Sequence, residues 1–427
     1  MEPATTRPGG PVQRIVLTNA VVFDGRSPEL RETDVLVEGE TITRIEPGIA
    51  KEEAGPDTEV FDVRGRTLMP GLIDAHTHAY LTEIDPIATD RLPFSYVAHD
   101  ARRKLEESLN RGYTTVRDVG GGDYGLAMAV ERGLINGPRV FYCGPALSQT
   151  GGHGDMRPPG EVGDHVCGAT YHGHVTQVVD GPHELRRVIR EQIRNGASFI
   201  KLMVSGGVAS PGDDLTAAQY SDEEILAAVD ETRRSGKYVT AHVHPDDAVR
   251  RAIELGIPCL EHASLITAPT AALAAETGTN IVPTLAVIFA LQRFGADRGF
   301  PQASLDKLAR IQDTALAGVE TMVRAGVTLG LGSDLLGSLD RYQTLELESR
   351  GKVQPAPDVL ASATSVNAGI LGAGDVLGRV EVGYLADLIV VDGRPTEDLS
   401  VLDDDGSRVD AVLKNGSWVK RRATVPS

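Results

Sequence analysis

Leu72-Ile73-Asp74-Ala75-His76-Thr77-His78, directly after Met69-Pro70-Gly71, is the stretch on which the fold turns. Leu72, Ile73 and Ala75 read as a short apolar strand. Side chains on a strand repeat with a period of two, so His76 and His78 project to one side. Two imidazoles at the end of a buried strand either grip one cation or are two satisfied polar groups. The chain around them decides which.

Downstream, helical segments alternate with short apolar strands, and a glycine sits at each junction. Gly112 precedes residues 114–118, Gly196 precedes 199–203, and Gly236 precedes 238–242. Gly256 precedes 259–262, Gly278 precedes 281–284, and Gly326 precedes 328–331. Glycine just past a helix end is the left-handed C-terminal cap. Ser221-Asp222-Glu223-Glu224 is a capping box with Ile225, Leu226 and Val229 as its apolar stripe. A repeating helix–Gly–strand unit implies parallel strands joined by crossover helices. With residues 72–77 and 139–143 the count reaches eight, that of a closed (β/α)8 TIM barrel. An open doubly wound sheet is the alternative, but no Gly-rich phosphate fingerprint follows the first strand.

The two ends of the chain read differently. Residues 14–68 are short strands with turns between them, and 386–392, 409–414 and 417–419 resume that pattern, with Asn415-Gly416 as a hairpin turn. The expected organisation is a composite β-sandwich domain from 1–69 plus 375–427, beside an α/β barrel over 70–374.

Composition bounds the function. The 427 residues carry a net charge of −18, which argues against nucleic acid and anionic membrane surfaces as partners. The cysteines Cys143, Cys167 and Cys259 lie far apart, without metal or disulfide spacing. Residues 1–10 lack an apolar core and read as a disordered start rather than a signal peptide, and no long apolar run spans a membrane. The expected location is cytoplasmic.

Barrel active sites lie at the C-terminal strand ends. There strand one carries His76 and His78, strand four Lys201, strand five His242, strand six His262, and strand eight Asp334. Each has an ordinary structural reading alone; their joint placement on one face favours a metal site. A protonated lysine beside two cations would be repelled, so Lys201 fits only if its charge is removed, for example by CO2-derived carbamylation.

Pro70–His78, Lys201, His242, His262 and Asp334 together resemble the amidohydrolase superfamily. Residues 148–155, 201–207 and 378–388 are similar to its prolidase-like and carboxypeptidase-like branch of metal-dependent hydrolases. The resemblance implies two divalent metal ions, one with His76, His78 and Asp334 and one with His242 and His262, bridged by carboxylated Lys201 and a hydroxide. Zinc suits imidazole and carboxylate ligands, with manganese or cobalt as alternatives. Asp334 would take the proton of the attacking water and deliver it to the leaving nitrogen. The implied reaction is hydrolysis of an amide bond in a dipeptide or N-acyl amino acid; aryl amides, carbamates or phenylureas are the nearest rival substrates. The resemblance also implies a homo-oligomer acting on a small molecule.

Substrate contacts are expected from His153, in the Gly-rich loop after strand three, as a donor to the substrate carbonyl or carboxylate. His244 shares the face of His242, where the branch can hold a carboxylate-binding tyrosine; histidine there counts against strict Xaa-Pro dipeptidase activity. Tyr220, Gly207 and Val208 are expected to line the pocket, and Asp74 to orient a ligand histidine. His172 and His174 form a second His-x-His without supporting ligands, and Arg341 and Tyr342 read as a solvated loop. Deamination is disfavoured because Lys201 is present and Pro245 stands three residues after His242. A metal-free scaffold is the remaining class.

Overall fold

The computed structural model describes residues 13–157, 173–210 and 212–422. Strands from both ends of the chain join in one eight-stranded sheet. The joint is Thr67–Pro70, which runs antiparallel to Leu388–Val391 with Leu68 opposite Val390. The Asn415-Gly416 hairpin links Val409–Lys414 to Ser417–Arg421, and both turn residues have positive φ, 48° and 67°. Ile42 and Leu413, from opposite halves of the strand order, share one apolar cluster with Ile15, Leu17 and Phe61, so the sheet is folded over a common core. Its hydrogen bonding is continuous rather than split into two sheets.

Between Leu72 and Val282 the strands pair in parallel. Leu72–Thr77, Tyr113–Asp118 and Arg139–Tyr142 form one sheet. The other runs Thr176–Val178, Ala146–Ser148, Ile200–Met203, Val239–Pro245, Cys259–Leu265 and Asn280–Val282. The two meet where Ser198 N donates to Tyr142 O at 2.8 Å. All six junction glycines have positive φ, from 65° at Gly236 to 99° at Gly112, as left-handed caps require. Ser221 and Glu224 close the capping box. The crossover helix Pro182–Arg194 buries Leu185, Val188 and Ile189; on Asp222–Arg234 Ile225 is buried and Val229 partly so, whereas Leu226, expected in the same apolar stripe, is exposed.

Two elements differ from the sequence expectation. Ala146–Ser148 and Thr176–Val178 are additional short strands at one edge. Residues 328–331 are not a regular strand; only Leu329 bridges, to Ile281. Side chains, rather than a ladder, satisfy this backbone. Asn367 accepts from Leu331 N at 3.0 Å and donates to Leu331 O at 2.8 Å and Ile73 O at 2.7 Å, while Arg350 donates to Gly330 O at 2.7 Å. The segment still links its neighbours: Gly330 N donates to Ile281 O at 2.9 Å, Ala75 N to Leu331 O at 2.9 Å and Asp334 N to His76 O at 2.8 Å. Gly332 permits this approach, since a Cβ there would stand 2.5 Å from His76 Cβ.

Candidate functional site

The C-terminal ends of the parallel strands surround one cavity. His76, His78, His153, Lys201, His242, His244, His262 and Asp334 all line it. Every ligand candidate from the sequence is therefore brought to one place. His262, Ala263 and Asp334 hold positive φ, 70°, 50° and 54°. Such conformations cost non-glycine residues energy and cluster at functional sites. Here they turn His262 and Asp334 inward at the strand ends.

The histidine tautomers can be read from their partners. His76 Nδ1 lies 2.7 Å from Glu261 Oε2 and His78 Nδ1 lies 3.1 Å from Gly120 O. Carboxylate and carbonyl oxygens only accept, so both Nδ1 atoms carry the hydrogen and both neutral rings present Nε2 lone pairs. Each Nε2 is 3.2 Å from Asp334 Oδ1. Three lone-pair atoms converge, and either a proton or a cation must sit between them. Burial pulls the pKa of His76 down, but Asp334 and Glu261 outweigh it and the net direction is up. The spacing suits a metal equally: ligands on a tetrahedral ion with bonds of 2.0–2.1 Å stand about 3.3 Å apart.

The second half of the cluster is neutral by burial. His242 and His262 are held well below the ordinary histidine value, and His244 is pushed down to about 3, in each case by burial first. His242 Nε2 donates to Gly206 O at 3.2 Å, and His262 Nδ1 meets Thr284 Oγ1 at 2.7 Å. Ligand atoms of His242, His244 and His262 lie within 4.8 Å of one another, as do those of His76, His262 and Asp334. Both groups can hold a metal ion. His244, expected to contact substrate, thus also stands in ligand range, with Nδ1 3.1 Å from Ser264 Oγ. Lys201 is 1% exposed, has no hydrogen bond to a described residue, and is lowered in pKa by burial.

Beneath the cluster lies a pair that sequence reading missed. Glu261 and Arg117 are both fully buried, with Arg117 Nη2 2.6 Å from Glu261 Oε1. Thr240 Oγ1 also donates to Glu261, and Arg117 Nε donates to Ala75 O at 2.5 Å. Arg117 and His76 hold the Glu261 carboxyl far below its usual range despite burial. The signal is present in the sequence: opposite charges on two otherwise buried strands need each other. Asp74 does not orient a ligand ring. Its oxygens accept from His76 N at 3.1 Å, Ser333 N at 3.0 Å, Ser333 Oγ at 2.6 Å and Gln343 Nε2 at 2.8 Å. It staples the backbone of the first strand to the 328–334 segment.

Of the expected substrate contacts, His153, His244 and Val208 line the cavity. Gly207 stands behind His153, where a Cβ would come within 2.3 Å of the ring. Tyr220 is turned away, its hydroxyl donating to Val179 O at 3.1 Å. Tyr342 stacks on Phe294 and Arg341 lies over Tyr342 rather than in the cavity. His172 lies outside the described residues, and His174 Nε2 is 3.1 Å from Leu92 O. The opposite wall is apolar: Val287, Ile288, Leu291, Phe300, Leu308 and Ile311.

Fold and site define a hydrolase acting on amide bonds. The chain belongs to the amidohydrolase family, which it matches over residues 67–419. It is 35% identical to an ochratoxinase of Aspergillus niger over 367 residues, covering 83% of this chain and 75% of that one. It superposes on a prolidase complexed with N-methylphosphonate-L-proline with a TM-score of 0.91 at 40% identity, over 96% of this chain and 100% of the other. A Xaa-Pro dipeptidase with methionine bound in its active site matches with a TM-score of 0.83 at 29% identity, over 95% and 99% of the two chains. No helix among the described residues is long and apolar enough to cross a membrane.

Proposed function

We propose that this chain is a binuclear metal-dependent amidohydrolase that cleaves the amide bond of a dipeptide or N-acyl amino acid. The observation that carries the reading is the convergence of two Nε2 lone pairs on Asp334, each at 3.2 Å, beside the buried His242–His262 cluster. His76, His78 and Asp334 would hold one ion and His242 and His262 the other. Lys201 suits the role of bridge: its amine is buried at the cavity, without a hydrogen bond to a described residue, and a carbamate would give it two oxygens sharing one negative charge. When bound, two divalent ions, zinc by ligand type, supply an activated water at neutral pH and polarise the scissile carbonyl.

The chain's own residues do the rest. Asp334, with its carboxylate between the His76 and His78 rings, accepts the proton of the attacking water and passes it to the leaving nitrogen. His153 and His244 orient the substrate from the polar side of the cavity, and Val208 closes the wall. The strands from 72 to 334 form an eight-stranded barrel closed through the 328–334 segment, within a domain of 70–374, with 1–69 plus 375–427 as a separate β domain.

A second reading has an observation of its own. Among the described residues that line the apolar wall (Val287, Ile288, Leu291, Phe300, Leu308 and Ile311) none is a cation to meet a substrate carboxylate, which favours aryl amides, carbamates or phenylureas. A panel of dipeptides, N-acyl amino acids, aryl amides and phenylureas, tested on enzyme loaded with zinc and bicarbonate, separates the two. Turnover of the first two classes supports the main reading; turnover of aryl amides or ureas alone replaces it. Purified protein that holds no metal and gains no activity from zinc plus bicarbonate refutes both.

A further inference from the structure

The segment that carries Asp334 is not held by a ladder, and Asp334 itself keeps a left-handed φ of 54°. A non-glycine residue stays in that region only where its surroundings over-determine it. Asn367 and Arg350 hold Gly330 and Leu331. From Ser333 onward the restraint comes from elsewhere. Asp74 accepts from Ser333 N at 3.0 Å and from Ser333 Oγ at 2.6 Å, and Asp334 N donates to His76 O at 2.8 Å.

The Asp74 carboxylate is in turn held on its far side. Its Oδ2 accepts from Gln343 Nε2 at 2.8 Å, and Gln343 is buried. The two ends of a side-chain amide have nearly the same shape, so a neighbour must decide which end faces the carboxylate. Arg111 decides it. Its Nε and Nη2 each stand 3.3 Å from Gln343 Oε1, and guanidinium nitrogens only donate. A flipped amide would set N–H against N–H at Arg111 and oxygen against carboxylate at Asp74. Arg111, buried just past the end of Phe94–Asn110, is itself anchored twice more: Nη2 donates to Asp340 O at 3.3 Å and Nη1 to Asp405 Oδ1 at 3.1 Å. Asp405 lies between Leu388–Val391 and Val409–Lys414 of the terminal sheet. The adjoining Gly406 packs so closely that a Cβ there would stand 2.7 Å from Arg111 Cα.

From this geometry we infer that Arg111 and Gln343 are positioning residues for Asp334: Arg111 orients the Gln343 amide, Gln343 fixes the Asp74 carboxylate, and Asp74 sets the Ser333 backbone from which Asp334 projects. Neither Arg111 nor Gln343 lines the cavity, so each acts through its neighbour. The inference rests on the proposed metal site only for what Asp334 binds.

Amide hydrogen exchange of the metal-free full chain reads the backbone directly, and zinc competition against a chromophoric chelator reads the ligand set. Gln343→Leu keeps most of the volume and removes both hydrogen bonds of the amide. Exchange over residues 331–335 should quicken about tenfold, the scale of one lost bond to a charged group, while residues 239–245 on the other sheet are unchanged. Zinc affinity should fall about tenfold, as when a partner behind a metal ligand is altered. Arg111→Met should do the same from one residue further away. In the Gln343→Leu background it should change either readout by less than about twofold, because members of one chain of contacts do not add. General loosening would instead add in the double variant and quicken both segments; that outcome overturns the inference. Wild-type exchange and affinity in folded Gln343→Leu overturn it as well, and this variant keeps the test alive should Arg111→Met fail to fold. Because exchange is measured without metal, a wild type that binds no zinc removes the metal reading and leaves the exchange prediction standing. Zinc bound normally with exchange unmoved removes this inference alone.

Discussion

His76 and His153 present imidazoles to the same cavity, yet they are fixed by different means. His76 stands at the end of a parallel strand, its ring held by Glu261 and its backbone by Asp74. Asp74 sits on the strand of His76 itself and Glu261 on Cys259–Leu265 of the other parallel sheet, and both are 0% exposed. His153 stands on a loop and is held by Ser210, Gln219 and Asp213, themselves tied to Lys307 on a separate helix. The strand-borne side has no freedom to lose when a substrate binds. The loop-borne side is assembled from segments far apart in sequence, and a change in any one of them reaches the ring. Under the proposed function, chemistry falls to the rigid side and substrate choice to the adjustable one, a division expected of folds that carry many activities on one frame.

The most damaging change belongs on the rigid side. Lys201→Ala should lower kcat/KM by about 10³-fold or more, since it removes the proposed bridge between two ions that together supply the nucleophile. Full activity in that variant, with wild-type metal content, would refute the carbamate. Asp334→Asn keeps the shape but not the proton acceptor, and should lower kcat by about 10²- to 10⁴-fold with a smaller change in KM. A loss confined to KM would mean that Asp334 binds and does not transfer protons.

Legibility in the sequence divides along the same line. His76, His78, Lys201, His242, His262 and Asp334 are legible because a strand end is a local pattern: an apolar run, then a polar residue, with a glycine-capped helix before it. Glu261 and Arg117 lie on strands equally easy to find, but 144 positions separate them. Only the register of the sheets shows that they meet. Residues 328–331 read as a strand because they follow a glycine-capped helix in the repeating unit; that Asn367 and Arg350 take over their backbone bonds is a tertiary fact. Tyr220 is misplaced for a similar reason, because nothing local shows that its positive φ, 53°, turns the ring toward Val179.

Glu261→Gln tests whether the rigid side depends on that buried pair. Removing one charge leaves Arg117 uncompensated, a change worth about 3–5 kcal/mol where buried pairs are broken. Zinc affinity should fall about 10- to 100-fold, the usual cost of altering a partner behind a ligand histidine. The folded pKa of Glu261 is depressed, so its contribution is present above the ordinary carboxylate value and is lost only as pH falls through the depressed one. With the ion bound, so that His76 does not titrate, the stability gap between wild type and variant from urea unfolding should therefore be constant from roughly pH 6 to roughly pH 8, a window well above both carboxylate values. A gap that closes within that window would place the charge elsewhere.

The smallest effect lies on the adjustable side and carries the opposite sign. Glu346 is fully buried, and its Oε2 accepts from Ala286 N at 2.7 Å at the start of the helix Leu285–Phe294, which forms the apolar wall. Its other oxygen has no hydrogen-bond partner among the described residues. Arg350 lies near, but its guanidinium is spent on Gly330 O, Gln354 and Ser362. Burial therefore pushes the Glu346 carboxyl up to about 8. An acid raised above its unfolded value releases its proton on unfolding, so this group costs stability increasingly as pH climbs from the unfolded value toward about 8. Glu346→Gln keeps the acceptor for Ala286 N and removes the charge. It should raise the Tm by roughly 1–2 °C at pH 8, the shift expected from about 1 kcal/mol in a chain of 427 residues, and by less at pH 5. If the variant is instead destabilised most at pH 8, Glu346 is ionised and paired with Arg350. The wall that faces the substrate would then be anchored by the same kind of buried charge pair that anchors His76.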